Sequence, residues 1–221
     1  MTSMYPAPPP ARVSDARIRD LVARYLEHSP DQAERLRPCT DALAESTHLT
    51  HRRTLPGHVT TGAFVVDADG RLLQIAHKSL NRWLNPGGHT EPEDASLADA
   101  ACRELLEETG LGTEHVTLLG DPDLPLAIDA HRIPANPAKD EPEHWHFDFR
   151  YAFRLNGTPG TATVELQLDE VDDHRWIPYE QAGLGEDTAR LAAVLAGAPA
   201  DSADSAAPAV ADVTNRAAER S

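Results

Sequence analysis

The stretch Arg103-Glu104-Leu105-Leu106-Glu107-Glu108-Thr109-Gly110-Leu111 places three carboxylates at i, i+3 and i+4. At about 3.6 residues per turn, Glu104, Glu107 and Glu108 share one helix face, and Gly110 is a helix stop. Such a patch opposes itself. Carboxylates at a helix C-terminus work against the macrodipole by roughly 0.3–1 kcal/mol each, and like charges four apart add a few tenths more. A divalent cation held between them reverses both signs. Oxygen-only ligands on a rigid helix suit Mg2+ or Mn2+. The competing explanation is a solvated acidic face, and the residues upstream bear on that choice.

A second group of chemically capable side chains lies in His144-Trp145-His146-Phe147-Asp148. His144, His146 and Asp148 are spaced by two, so one strand face carries all three. His131 lies on the segment before them. These residues line a substrate pocket and meet phosphate or ribose, or they hold an additional metal. The alternative is a polar sheet face hydrogen-bonded to neighbouring loops. Arg53, beside Arg52, precedes the first strand, where it meets a phosphate or sits on the surface. Trp83 and Trp176 read as packing residues, as does Cys102 inside the helical pattern.

The chain has 221 residues, with 36 acidic against 20 basic side chains and a formal net charge of −16. That length supports one domain with a full core plus extra elements. The acidity argues against a nucleic-acid polymer as partner, because phosphate backbones recruit basic surface. A small phosphorylated substrate remains compatible, since a bound metal supplies positive charge locally. Two cysteines, Cys39 and Cys102, cannot make a disulfide framework, and no Cys/His spacing suggests a zinc site. No apolar run reaches the ~20 residues of a membrane span, and the N-terminus lacks the regions of a signal peptide. The expectation is a soluble cytoplasmic protein.

The elements that must position these residues follow from periodicity. Residues 1–12 are rich in Pro and Ala and are expected to be disordered. From Ser14, Ile18, Leu21, Val22, Tyr25 and Leu26 recur at helix spacing. Ser29-Pro30-Asp31-Gln32 predicts a capping box that opens a second helix carrying Leu36 and Leu43. This extension, residues 13–50, either packs on the main domain or mediates a homodimer. Residues 51–196 form the main domain. His58 to Val66 and Arg71 to His77 are predicted strands about a turn at Asp67-Ala68-Asp69-Gly70. Asn85-Pro86-Gly87-Gly88 is a loop, residues from about 95 to 109 a helix, and Val116 to Leu119 a short strand. The five prolines of 121–143 predict a long loop. His144 to Leu155 alternates like a strand, Thr161 to Leu168 suggests another, and Trp176-Ile177-Pro178 ends one. Tyr179 to Ala196 is expected to be helical, and 197–221 a disordered tail. The order predicts an α/β (α+β) fold with a mixed sheet and helices on both faces.

The Pro86-Gly87-Gly88 loop, the following helix and the glutamate cluster together resemble the signature of the Nudix hydrolases. The family pattern is Gly-x5-Glu-x7-Arg-Glu-U-x-Glu-Glu-x-Gly-U, with U aliphatic. Arg103, Glu104, Leu105, Glu107, Glu108, Gly110 and Leu111 match its right half. The left half departs, because family spacing from Arg103 lands on Ala95 and His89. Gly88-x5-Asp94-x8-Arg103 fits with one inserted residue and Asp in place of Glu. The register Gly87-x5-Glu93 needs two extra residues. Gly57-His58-Val59-Thr60, Asn81-Arg82-Trp83-Leu84, Gly87-Gly88-His89, Asp129 to Pro134 and His144 to Arg150 look like a recurring Nudix subgroup. The likeness runs from about residue 13 to 195.

The resemblance implies a Nudix-type α/β/α sandwich with an N-terminal helical extension. It further implies hydrolysis of a nucleoside diphosphate linked to another group X, with Mg2+ or Mn2+ as cofactor. Glu104, Glu107 and Glu108 become the carboxylate ligands, with the Gly88 carbonyl as backbone ligand. Arg103 becomes the residue that orients a glutamate. The general base is Glu104 or, second, Glu170 on a later acidic loop. Two other readings remain. A catalytically idle nucleotide-binding module usually lacks box glutamates, which this chain keeps. An isoprenoid diphosphate isomerase needs a catalytic cysteine on a strand, where neither Cys39 nor Cys102 is expected.

Overall fold

The computed structural model describes residues 12–45, 48–78, 80–157 and 164–197. The tails expected to be disordered therefore lie almost wholly outside the described residues. The first helix, α1 (Asp15–His28), starts where Ser14 takes an extended conformation and its hydroxyl accepts the Arg17 N–H. The expected capping box at Ser29 does not form. A single 3-10 turn (Pro30–Gln32) precedes α2 (Arg37–Glu45), and Ser29 Oγ instead accepts a 2.7 Å bond from Arg190. Pro38 explains the break. In a continuous helix from Pro30 its ring would collide with the preceding turn and delete a hydrogen bond. In the first turn of α2 it costs neither.

Among the described residues, eight strands form one mixed sheet. They are β1 (Gly57–Val66), β2 (Arg71–His77), β3 (Arg82–Leu84), β4 (Gly87–His89), β5 (Val116–Leu119), β6 (Ala127–Ile133), β7 (His144–Leu155) and β8 (Val171–Pro178). The central pair, β1 and β7, runs parallel from Gly57↔Trp145 to Val66↔Arg154. β4 pairs antiparallel with β1, setting Thr60 opposite His89 and Thr61 opposite Gly88. β6 pairs antiparallel with β7, setting His131 opposite His146 and Asp129 opposite Asp148.

Four expectations need correction here. The loop at Gly87-Gly88 is partly a strand. The segment 121–143 is not one long loop, because its prolines bracket a proline-free window between Pro125 and Pro134 that pairs as β6. For the strand expected over Thr161 to Leu168, residues 161–163 lie outside the described residues and Val164–Gln167 join no sheet. The Glu165 and Gln167 N–H groups instead bond the Thr109 and Glu108 carbonyls at the end of the next helix. That helix, α3 (Leu97–Thr109), starts at Ser96, whose hydroxyl accepts the Asp99 N–H, and ends at Gly110 with φ 72°. The helix expected over Tyr179 to Ala196 is also shorter. A 3-10 turn (Tyr179–Gln181) and the positive φ of Gly183 and Gly185 delay α4 to Asp187–Leu195.

Helices cover both faces of the sheet. Leu97, Ala101 and Leu105 of α3 pack with Val59, Ala63, Val65, Phe147 and Phe149. Fully burying one such large apolar side chain contributes about 1.5–3 kcal/mol. Ile18, Val22 and Tyr25 of α1 and Cys39 and Leu43 of α2 join the same cluster, so the N-terminal helices pack on the main domain. On the other face Phe64, Val66, Leu72 and Ala152 meet Leu191 and Val194 of α4. Alternation along β1 and β7 sends the remaining side chains, His58, Thr60, His146, Asp148 and Arg150, to this second face.

Candidate active site

Arg103 organises the glutamate corner. Its Nε and Nη2 reach the two oxygens of Asp94 at 3.0 and 3.2 Å. Nη1 donates to Glu104 at 2.9 Å and to Glu107 at 3.0 Å, and Nη2 also donates to the His89 carbonyl at 2.8 Å. Asp94, buried, is thus the carboxylate that meets the box arginine, and it also accepts the Glu91 N–H at 2.7 Å. Glu93 is exposed. Ala95 alone separates Asp94 from the Ser96 cap of α3.

The three box glutamates differ in environment. Glu107 is exposed and Glu104 half-buried, while Glu108 is 4 % exposed. Burial pushes the Glu108 carboxyl up to about 8 against the lowering effect of the Gly87 N–H, and the charges of Glu104, Glu170 and Glu107 push the same way as burial. The Gly87 N–H donates to Glu108 Oε2 at 2.9 Å. Burial also raises Glu104, opposed by its bond to Arg103. A Cβ on Gly88 would stand 2.5–2.7 Å from the Glu104 carboxylate, and one on Gly87 would stand 2.3 Å from the Thr61 carbonyl. Gly87 is therefore required by its close approach to the β1 backbone, while at Gly88 the crowding falls on the end of the Glu104 side chain.

A hard cation fits this corner on chemistry. Its donors are carboxylate oxygens and backbone, with one guanidinium offsetting several negative charges. Thr61, opposite Gly88, keeps a buried hydroxyl without a partner. Glu170 is exposed on the segment that bonds the end of α3, near enough to raise Glu108. Arg53 is not brought to either group. It is exposed in the turn before β1, where its backbone N–H meets His51 Nδ1.

The second sheet face carries more imidazoles than its strand spacing indicated. His58 and His89 join His131, His144 and His146. His58 Nε2 lies 3.1 Å from His89 Nε2, and the His58 ring centroid is 4.8 Å from those of both His144 and His146. Burial lowers His58 and His89 to about 4, and His146 lower still, with neighbouring imidazoles adding to the effect. Asp148 serves a different end. It accepts the Thr60 hydroxyl at 3.1 Å and Arg150 Nε at 2.8 Å, while Arg150 also binds Asp129 and Asp187. That ion network ties β6, β7 and α4 and leaves Asp148 occupied. His131 Nδ1 meets Asp129 at 3.1 Å, and His144 Nδ1–H donates to the Pro142 carbonyl at 2.8 Å.

Sequence reasoning missed His58, His89, Asp129, Arg150 and Asp187. The period-two pattern of β1 puts His58 and Thr60 on one face, but only the parallel register with β7 brings them to His146 and Asp148. Trp83 packs under the Arg175 guanidinium, 4.3 Å from the ring centroid, and Trp176 packs against the main core. Among the described residues, no helix is long and apolar enough to cross a membrane.

The NUDIX domain family model matches residues 56–197. A curated relative named probable DHNTP pyrophosphohydrolase, from Lactococcus lactis subsp. cremoris, is 31% identical over 137 residues, covering 62% of this chain and 78% of its own. An RNA pyrophosphohydrolase from Dinoroseobacter shibae is 30% identical over 132 residues, covering 56% of this chain and 78% of its own. Among solved structures, a C. elegans Ap4A hydrolase binary complex is 21% identical and covers 63% of this chain and 98% of that one, with a TM-score of 0.49. With the match spanning every strand of the sheet and the box helix within it, the chain belongs to the Nudix hydrolases.

Proposed function

We propose that this enzyme is a divalent-metal-dependent hydrolase that cleaves the pyrophosphate bond of a nucleoside diphosphate linked to another group X. The observation that carries the reading is the Arg103 network, which holds Asp94, Glu104, Glu107 and the His89 carbonyl in one frame. The pyrophosphohydrolase names of the relatives support the bond type.

Glu104, Glu107, Glu108 and the Gly88 carbonyl would hold Mg2+ or Mn2+, which would supply positive charge to offset that of the phosphate oxygens. Glu104 accepts the proton of the attacking water, with Glu170 as the second candidate. The water oxygen bonds to phosphorus, the anhydride P–O bond breaks, and the leaving phosphate keeps the electron pair. Arg103 keeps Glu104 and Glu107 in fixed rotamers by charge-assisted hydrogen bonds. His131, at the rim of the histidine face, is the substrate contact, and buried His144 supports its neighbours.

Cys39 is buried with its thiol pushed up to about 12, and Cys102 sits on α3, so no strand cysteine is available for isomerase chemistry. The test is a panel of nucleoside diphosphate derivatives with Mg2+ or Mn2+, with products identified by mass. Cleavage between two phosphates is expected. No turnover of any member with either metal would overturn the proposal.

A further inference from the structure

Among the described residues, one group of three or more His, Cys, Asp or Glu side chains is gathered closely enough to hold a single ion, and it is not the glutamate corner. It comprises His58, His89 and His146, whose ligand atoms lie within 4.8 Å of one another. We propose that these three imidazoles form a second metal site, separate from the carboxylates, for a borderline first-row cation of the Zn2+ class.

The strands fix the constellation. His58 and His146 are register partners on the parallel pair β1 and β7, and His89 projects from β4 opposite Thr60. The ligands thus come from three adjacent strands. Metal sites on strands hold their geometry better than sites on loops.

Ring chemistry agrees. His58 Nδ1–H donates to the Thr54 carbonyl at 3.4 Å, which leaves the Nε2 lone pair facing His89 Nε2. A partner on the far nitrogen that sets the tautomer is the usual accompaniment of a metal-bound histidine. The separation between the two Nε2 atoms, 3.1 Å, is near the roughly 3.3 Å spanned by two nitrogens on a tetrahedral Zn2+ with Zn–N of about 2.0–2.1 Å. The His146 ring makes no hydrogen bond among the described residues, so its nitrogens are uncommitted.

Imidazole nitrogens discriminate against the metals suited to the glutamates. Mg2+ and Mn2+ prefer oxygen, whereas imidazole suits Zn2+, Ni2+, Co2+ and Cu2+. Three protein ligands leave a fourth position, and half-buried His89 and His146 open it toward solvent.

The test uses the untagged full chain, stripped with chelator and titrated with Co2+ alone. One equivalent should develop visible d–d absorption, be displaced by stoichiometric Zn2+, and be unmoved by millimolar Mg2+. His146→Gln and His58→Gln should each weaken Co2+ binding by at least tenfold, and Glu107→Gln should leave it unchanged. X-ray absorption at the zinc edge of the wild-type protein should show imidazole scattering, a readout that needs no variant to fold. The site is overturned if folded wild type develops no band. It is overturned equally if the band survives the His58→Gln/His146→Gln pair, disappears in Glu107→Gln, or arises from an oxygen-only shell. Activity toward diphosphates can fail while this band persists, so the two proposals stand or fall separately.

Discussion

The backbone carbonyl of His89 accepts a 2.8 Å hydrogen bond from Arg103, while the ring of the same residue lies 3.1 Å from His58. One residue of β4 therefore touches both the glutamate corner and the histidine face.

Replacing the guanidinium with an ammonium tests this join. Arg103→Lys keeps a charge but cannot span Asp94, Glu104, Glu107 and the His89 carbonyl together. Turnover should drop by about 10- to 100-fold, the usual cost of losing a ligand-orienting partner. Steady-state kinetics beside circular dichroism would separate this from misfolding.

Glu108→Gln should abolish turnover yet raise the melting temperature of metal-free protein at pH 8. The folded carboxyl titrates near 8, above its unfolded value, so the ionised form disfavours the fold. That unfavourable contribution is absent below about pH 4, grows as pH rises toward 8, and is removed by the neutral amide. Differential scanning calorimetry in chelator at pH 5 and pH 8 reads it, with the gap between variant and parent expected to widen at the higher pH.

The two glycines of β4 should fail differently. Gly88→Ala meets only the movable end of Glu104, so activity falls at least tenfold with little change in stability. Gly87→Ala meets the Thr61 carbonyl and the Gly62 backbone, so stability falls by about 1–3 kcal/mol. Urea denaturation and kinetics on both variants check the split.

Metal-free protein should lose stability on acidification between about pH 6.5 and 4. His58, His89 and His146 all have lowered values in the fold, so the unfolded chain binds protons that the folded chain refuses. Their contribution is complete above the unfolded value and declines below it. His58→Gln should flatten the profile of melting temperature against pH.

Much of the glutamate corner was legible because it is local. A seven-residue match and a helix period place Glu104, Glu107 and Glu108 without tertiary information. Asp94, preferred on the smaller insertion, is the residue whose carboxylate bonds Arg103, while Glu93 is exposed. The breaks in the flanking helices were missed where one residue overrode a longer pattern, Pro38 in the N-terminal extension and Gly183 and Gly185 before α4. The strand β6 was hidden by counting prolines instead of reading the gap between them. The histidine face was half visible. Alternation in His144-Trp145-His146 is a local signal, but His58 and His89 arrive through pairings between distant strands, which periodicity does not record.

The parallel partnership of β1 and β7 also bears on how the molecule is made. Thr60 and Asp148 meet across 88 positions of chain. During synthesis the box helix emerges long before β7, and the sheet centre stays open until residue 155 has left the ribosome. The last central strand to dock carries His146, so the main core under α3 and the cluster of imidazoles are completed in the same late event, ahead of α4 on the other face.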